Sequence, residues 1–177
     1  AAWTNLGLIK SRTGRPVEAE AAYLRALDID PNQATPWINL GVTLRKQGKS
    51  LEAENAYLRA ISISPRDVTP WENLSKTLMT LDKYGEAEEA SRRVLALKPN
   101  HRFTYSAWNM IAAAGVKQGK HYTEILPAYQ RMARSIERHR WETSKWDIRL
   151  EEFQEPASCL REAAGFSISD SSQDAEW

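Results

Sequence analysis

The sequence has one cysteine, Cys159, three histidines, no long apolar run and almost no net charge. A lone cysteine excludes a disulfide framework within the chain and a cysteine-rich zinc site, and it suits a reducing compartment. His101, His121 and His139 are scattered, with no pair at metal-ligand spacing on a helix, so no metal site is expected. No serine–histidine–aspartate or cysteine–histidine grouping comes with a supporting motif, and no glycine-rich loop is placed to cradle phosphate. The expectation is therefore no catalytic residues, no cofactor and no enzyme activity. No apolar stretch approaches the ~20 residues that cross a bilayer. The best, Met110 to Val116, is short and alanine-rich. A formal net charge of +1 argues for neither nucleic acid nor membrane as a partner. No signal peptide is visible, and residue 1 is not Met, which admits a piece of something longer and leaves targeting open. The expected location is cytoplasmic, or else nuclear.

What is present is a repeat. WTNLG begins at Trp3, WINLG at Trp37 and WENLS at Trp71, at a constant spacing of 34 residues. A period of 20–50 residues marks a stacked array. With each Trp at position 4 of its unit, position 7 is Leu6, Leu40 and Leu74, and position 8 is Gly7, Gly41 and Ser75. Position 20 is Ala19, Ala53 and Ala87, and position 32 is Pro31, Pro65 and Pro99. Position 24 is Tyr23 and Tyr57 and then Ser91, while position 27 is Ala26, Ala60 and Val94. Positions 4, 7, 8 and 11 share one face of a first helix. Thr35-Pro36 and Thr69-Pro70 suit its start, with Thr as N-cap, Pro at the first helical position and Glu72 closing a capping box. Gly14 and Gly48 mark a turn, Pro16 and Ser50 open a second helix, and Pro31 stops it. Aligning Gly119 with Gly48 yields a degraded fourth unit with Trp108 at position 4, after three extra residues around Arg102 to Thr104. Its second helix echoes the others at Ala128-Tyr129-Gln130-Arg131, with Pro127 expected to open it.

These residues resemble the tetratricopeptide repeat (TPR) family over residues 1–101. The resemblance implies an all-α, right-handed superhelical array of antiparallel helix hairpins, whose first helices line a concave groove. The expected units are 1–33, 34–67, 68–101 and a degenerate 105–140. Capping helices are expected over 141–165, with Trp146, Leu150 and Phe153 on one face, because an array needs its last apolar side covered. An acidic Ser/Asp-rich tail follows at 166–177. Residue 1 falls at position 2 of its unit, so the first face is expected to be open unless the array is longer.

Asn5, Asn39 and Asn73 repeat at position 6, roughly opposite the core positions at ~100° per residue. Asn is a poor mid-helix residue, yet it recurs while position 9 changes from Leu8 to Val42 to Lys76. A carboxamide carries a donor and an acceptor on one tip, so it can pair with both groups of an extended peptide backbone. The pattern is similar to the asparagine ladder in the TPR superhelix of O-GlcNAc transferases, and that likeness implies peptide-backbone binding. The alternative is that Asn was copied with the repeat, or bonds the neighbouring helix backbone. In the fourth unit position 6 is Met110. By the helix wheel and the family's geometry, Leu8, Arg12, Ile38, Val42, Arg45, Lys46, Lys76 and Lys117 join the groove. That surface suits an extended protein segment or peptide, acidic with apolar anchors. TPR domains that clamp chaperone C-termini use five residues at places that here hold Thr4, Leu8, Asn39, Thr69 and Asn73. Only Asn39 fits, which argues against a chaperone partner.

Residues 101–150 carry nine Lys/Arg against four Asp/Glu, and residues 151–177 carry one against seven. The basic stretch 131–149, with Trp141 and Trp146, raises nucleic-acid binding as a third reading. Glu137, Glu142 and Asp147 interrupt it, which favours a solvated face. The tail, with Phe166, Ile168 and Trp177, resembles the ligand expected for the groove, so self-occupancy and self-association are further expectations. The leading reading is a non-catalytic interaction scaffold. The second is a substrate-recruiting or regulatory module of a larger enzyme such as a glycosyltransferase.

Overall fold

A computed structural model describes residues 2–98, 103–121, 123–128 and 130–131. Seven helices are bounded there: α1 Ala2–Arg12, α2 Pro16–Ile29, α3 Ala34–Lys46, α4 Ser50–Ile63, α5 Val68–Thr80, α6 Tyr84–Leu97 and α7 Phe103–Lys117. Residues 123–128 are helical too, and there is no strand among the described residues. The expected capping helices, the acidic tail, Cys159 and most of the basic stretch lie outside the described residues. Each helix packs on the next, and α1, α3, α5 and α7 also touch in succession. The even-numbered helices make at most slight contact with one another. The fold is an all-α solenoid of helix hairpins whose odd-numbered helices form the more closely spaced row.

The turn between the two helices of a hairpin needs one residue of left-handed backbone. Gly14, Gly48, Asp82 and Gly119 supply it, with φ of 74°, 79°, 59° and 68°. The first three lie 34 residues apart, and the fourth follows after 37. The three extra residues before the fourth unit are thus accommodated outside the turn. Asp82 takes the conformation without being glycine, at a steric cost, and its carboxylate accepts a hydrogen bond from the Tyr84 hydroxyl.

Each hairpin closes on one contact. The Tyr23 ring lies on Gly7 of α1, where a Cβ would come within 2.5 Å of it. The Tyr57 ring lies on Gly41 of α3 in the same way, at 2.6 Å. Both rings are buried. In the third hairpin both partners change together. Ser75 replaces the glycine, Ser91 replaces the tyrosine, and their hydroxyls hydrogen-bond at 2.6 Å. A buried polar pair is tolerable when each member satisfies the other. Around these contacts Ala19, Leu40, Leu44, Ala53, Leu74, Leu78 and Ala87 make one continuous core, with Trp37 and Trp71 packed against it. The two indole N–H groups donate to Pro31 O and Pro65 O, at 3.0 and 3.2 Å, and so tie each first helix to the end of the preceding hairpin. Trp3 and Leu6, at the same positions in the first unit, are exposed.

The helix starts differ from expectation. α3 begins at Ala34, with Gln33 at its N-cap, so Thr35 lies inside the helix. α5 begins at Val68, capped by Asp67, whose carboxylate accepts from Thr69 N at 2.9 Å. A carboxylate satisfies an orphan amide with a full charge that the helix dipole also favours, so it displaces Thr69 from the role. No capping box forms at Glu72, which bonds Lys76 instead. Pro36 and Pro70 thus sit third in their helices, where no intrahelical partner would await an N–H in any case. Pro16 does open α2. Pro127 does not open the last stretch, which is already helical from residue 123. His121 precedes that stretch, and its N–H is held by the Glu124 carboxylate at 3.3 Å.

An ionic tie joins successive hairpins. Lys49 meets Glu20 at 3.0 Å, Lys83 meets Glu54 at 2.7 Å, and Lys120 meets Glu88 at 2.6 Å. Glu88 also accepts from Arg92 and Gln118. Burial raises the Glu88 carboxyl, but these three donors more than offset it and hold it below its ordinary value.

Two outcomes follow for stability. Ser91→Tyr alone should overfill the third hairpin and destabilise it by about 1–3 kcal/mol. Adding Ser75→Gly should recover most of that loss, a coupling visible as non-additive midpoints in urea unfolding. Because the Glu88 carboxyl is depressed in the folded state, its contribution is complete above the unfolded value and is lost as pH falls through the folded one. Glu88→Gln should therefore lose less stability than the native chain between about pH 5 and 2, measured as melting temperature against pH.

Candidate functional site

The row of odd-numbered helices carries all of the expected groove residues. Asn5, Leu8 and Arg12 are on α1 and are exposed. Ile38, Asn39, Val42 and Arg45 on α3 are half-buried, and Lys46 is exposed. Asn73 and Lys76 on α5 are half-buried, and Lys117 ends α7 exposed. None of the eleven is buried, whereas Leu40, Gly41, Leu44, Leu74, Ser75 and Leu78 of the same helices are. The wheel thus separates a core side from an open side, as its ~100° step requires.

The asparagines differ in their bonding. Asn73 Nδ2 donates to Thr69 O at 3.1 Å, one turn back in its own helix. Asn5 and Asn39 make no such side-chain bond among the described residues. Their backbones are also placed: Thr43 Oγ1 donates to Asn39 O and Thr77 Oγ1 to Asn73 O, each at 2.9 Å. Both threonines are buried, so these bonds satisfy hydroxyls that face the core.

The charges are less uniform than their count. Lys76 pairs with Glu72 at 2.6 Å, so the third repeat offers no unneutralised cation at that place. Arg12, Arg45, Lys46 and Lys117 make no ion pair among the described residues. Val42 and Met79 lean partly onto the core, leaving a narrow apolar edge beside these cations. One participant escaped the sequence reading. The Tyr57 hydroxyl and Arg45 Nε are both buried, and Arg45 acts on the phenol through a side-chain hydrogen bond and its charge. Burial pushes the Tyr57 phenol up to about 12, while the Arg45 guanidinium pulls the other way. The signal was legible in part, since only the second repeat combines a position-24 Tyr with a basic position 12.

Other surfaces are mixed in character. Arg131 lies over the Trp108 ring at 5.0 Å from its centroid. A cavity of about 200 Å³ beside it is lined by Glu88 and Glu124 as well as Arg92, Lys120 and Arg131. Of the basic stretch 131–149, only Arg131 is among the described residues. Among the described residues no group of three His, Cys, Asp or Glu could hold a metal ion. No described helix is long and apolar enough to cross a membrane.

Two family models described as tetratricopeptide repeat match the chain, one over residues 1–66 and the other over residues 68–101. Among solved structures, the MamA protein is similar with a TM-score of 0.71 at 18% identity, covering 82% of this chain and 75% of that one. The first TPR of Spaghetti (RPAP3), bound to the HSP90 peptide SRMEEVD, is similar with a TM-score of 0.63 at 21% identity, covering 67% of this chain and 92% of that one. The Arabidopsis OM64 TPR domain has a TM-score of 0.59 at 19% identity, covering 62% and 91%. At these identities the likeness speaks for the fold alone. No curated protein matches the chain.

Asn5 is exposed on α1, and its side chain makes no hydrogen bond among the described residues. Asn5→Ala should leave the melting temperature unchanged or raise stability by up to about 0.7 kcal/mol, measured by thermal circular dichroism. Destabilisation would mean that Asn5 is held by the fold.

Proposed function

The chain belongs to the tetratricopeptide repeat family, and on that footing we propose that it is a non-catalytic scaffold that binds an extended segment of another protein along its odd-numbered helices. The observation that carries this reading is the open side of α1, α3, α5 and α7. It presents asparagine tips, a narrow aliphatic edge and four cations that make no ion pair among the described residues. A surface with donors and charge but no internal use for them is the footprint of an interface. An acidic segment with one or two apolar residues complements it in charge and shape. Asn5, Asn39 and Asn73 act on the segment's backbone, and Arg12, Arg45, Lys46 and Lys117 on its side chains. Support for a peptide ligand comes from the same fold in the RPAP3 domain, whose structure holds an HSP90 peptide. The ligand here is a different one, because the residues that grip a chaperone terminus are replaced at Thr4, Leu8, Thr69 and Asn73.

The test is fluorescence-polarisation binding of an acidic–apolar peptide library. The native chain is compared with a variant carrying Asn5→Ala, Asn39→Ala and Asn73→Ala together. Each lost hydrogen bond is worth about 0.5–1.5 kcal/mol, so the triple variant should bind most peptides roughly ten- to several-hundred-fold more weakly, at equal helicity. Unchanged affinity would mean that the asparagines are inherited scaffold and the binding surface lies elsewhere.

A further inference from the structure

The second helices of the first two hairpins carry a pattern that neither the core nor the odd-numbered row uses. Positions 18, 22 and 25 share one helix face, at i, i+4 and i+7. On α2 they hold Val17, Ala21 and Leu24, and on α4 they hold Leu51, Asn55 and Leu58. Val17 and Leu51 are 71% and 62% exposed, and Leu24 and Leu58 are 45% and 46% exposed. The matching values mean that exposure belongs to the position and not to the end of the array. Single exposed leucines are ordinary on a protein surface, whereas apolar residues gathered on one face mark a contact. On α6 the same positions hold Gly85, Glu89 and Arg92, all exposed, so the apolar face covers two helices and stops.

Each apolar stripe is flanked on one edge by a carboxylate and, two turns later, by a guanidinium: Glu18 and Arg25 on α2, Glu52 and Arg59 on α4. On α2 these charges have partners within the chain. Glu18 meets Lys10 and Arg15, and Arg25 lies 3.9 Å from Asp28. On α4 Glu52 and Arg59 are exposed and make no ion pair among the described residues. A helix that reads Leu-Glu at one end of its open face and Leu-Arg seven residues on is complementary to itself turned end for end. Leu51 then meets Leu58 of the second copy, Glu52 meets its Arg59, and Asn55 lies beside its own counterpart. The stripe on α2 stands 34 residues earlier, so both stripes have their midpoints at the same level of their helices. One twofold axis crossing both midpoints therefore serves both. We propose that the chain pairs with a second copy of itself through α2 and α4, in an isologous antiparallel contact centred on Ala21 and Asn55.

The residues at the axis suit the contact. Ala21 is small enough for the two α2 helices to approach, and the Asn55 carboxamide offers a donor and an acceptor to its counterpart. The Glu52–Arg59 pairs at the edge fix the register and the antiparallel sense. Each helix has 14 residues and is about 21 Å long, so the two side by side present a face roughly 20 Å square. That is the size of a weak, reversible interface, which places the dimer at micromolar or higher concentrations. The contact uses only even-numbered helices. The odd-numbered row stays open in the dimer, and the pairing stands whether or not that row binds a segment.

The experiment is sedimentation velocity on the full chain from about 1 to about 300 μM, across which the native chain should pass from monomer to dimer. Leu58→Asp should weaken the dimer by about tenfold or more. Glu52→Arg sets arginine against arginine across the axis, and Arg59→Glu sets glutamate against glutamate. Each should weaken the dimer by about tenfold. The two exchanges together restore opposite charges at both places and should bring the dissociation constant back to within about threefold of the native one. All three positions are exposed, so each variant should keep the native melting temperature to within about two degrees when dilute. A chain that stays monomeric throughout the range overturns the proposal. So does a dimer that Leu58→Asp and Glu52→Arg leave unchanged, since it must form through another surface. A dimer weakened by both single exchanges and not recovered by the double exchange overturns the end-for-end pairing, and the proposal with it.

Discussion

The bare backbone of α1 and α3, at Gly7 and Gly41, lets a tyrosine ring from the second helix of each hairpin lie directly on the first. A methyl group at either glycine would overlap the ring, so the helix spacing and the buried ring depend on one another. Alanines at positions 20 and 27 continue this close approach along the second helix, and Leu40, Leu44, Leu74 and Leu78 fill the space between hairpins. The third hairpin keeps the spacing with different chemistry, exchanging the ring and the gap for two mutually bonded serines. Both solutions leave the first helix one side for the core and one side open.

Beside this apolar packing, polar ties join successive hairpins. Trp37 and Trp71 each donate to a proline carbonyl just past the end of the preceding second helix. Each Glu at position 21 meets a Lys from the next turn. These ties are partly solvent-exposed, and isolated surface ion pairs contribute little to stability. Their value lies in register, since a directional bond between two elements rules out slippage that apolar packing would tolerate. The Lys120–Glu88 tie persists although the fourth unit follows after three additional residues, two of which lengthen α7 itself.

The open side inherits its character from what the core did not use. Lys76 is neutralised by Glu72 within its own helix, and Asn73 spends its donor on Thr69. Asn39, Arg45 and Lys46 lie together on α3, where neither cation makes an ion pair among the described residues. The face is uneven although the repeats that build it share most of their core positions.

The period of 34, the two helices per unit and the buried stripe at positions 7, 8, 20, 24 and 27 were legible in the sequence, because each is set by local periodicity and by residues whose backbone preferences are strong. The side of the first helices that faces away from the core was legible for the same reason. The helix caps were not: Thr35 and Thr69 match the pattern, but Asp67, two residues earlier, offers a charged acceptor in the right geometry. The joint change to Ser75 and Ser91 looked like two independent lapses, because residues 16 apart become one pair only when the hairpin closes. The pairing of Lys76 with Glu72 one turn back also shows only in the structure. The sequence by itself determined the repeat, its helices and their core faces, since those follow from spacing along the chain. Tertiary structure decided which polar groups satisfy each other, as at Ser75 and Ser91, because hydrogen bonds depend on distances between residues that the chain brings together only on folding.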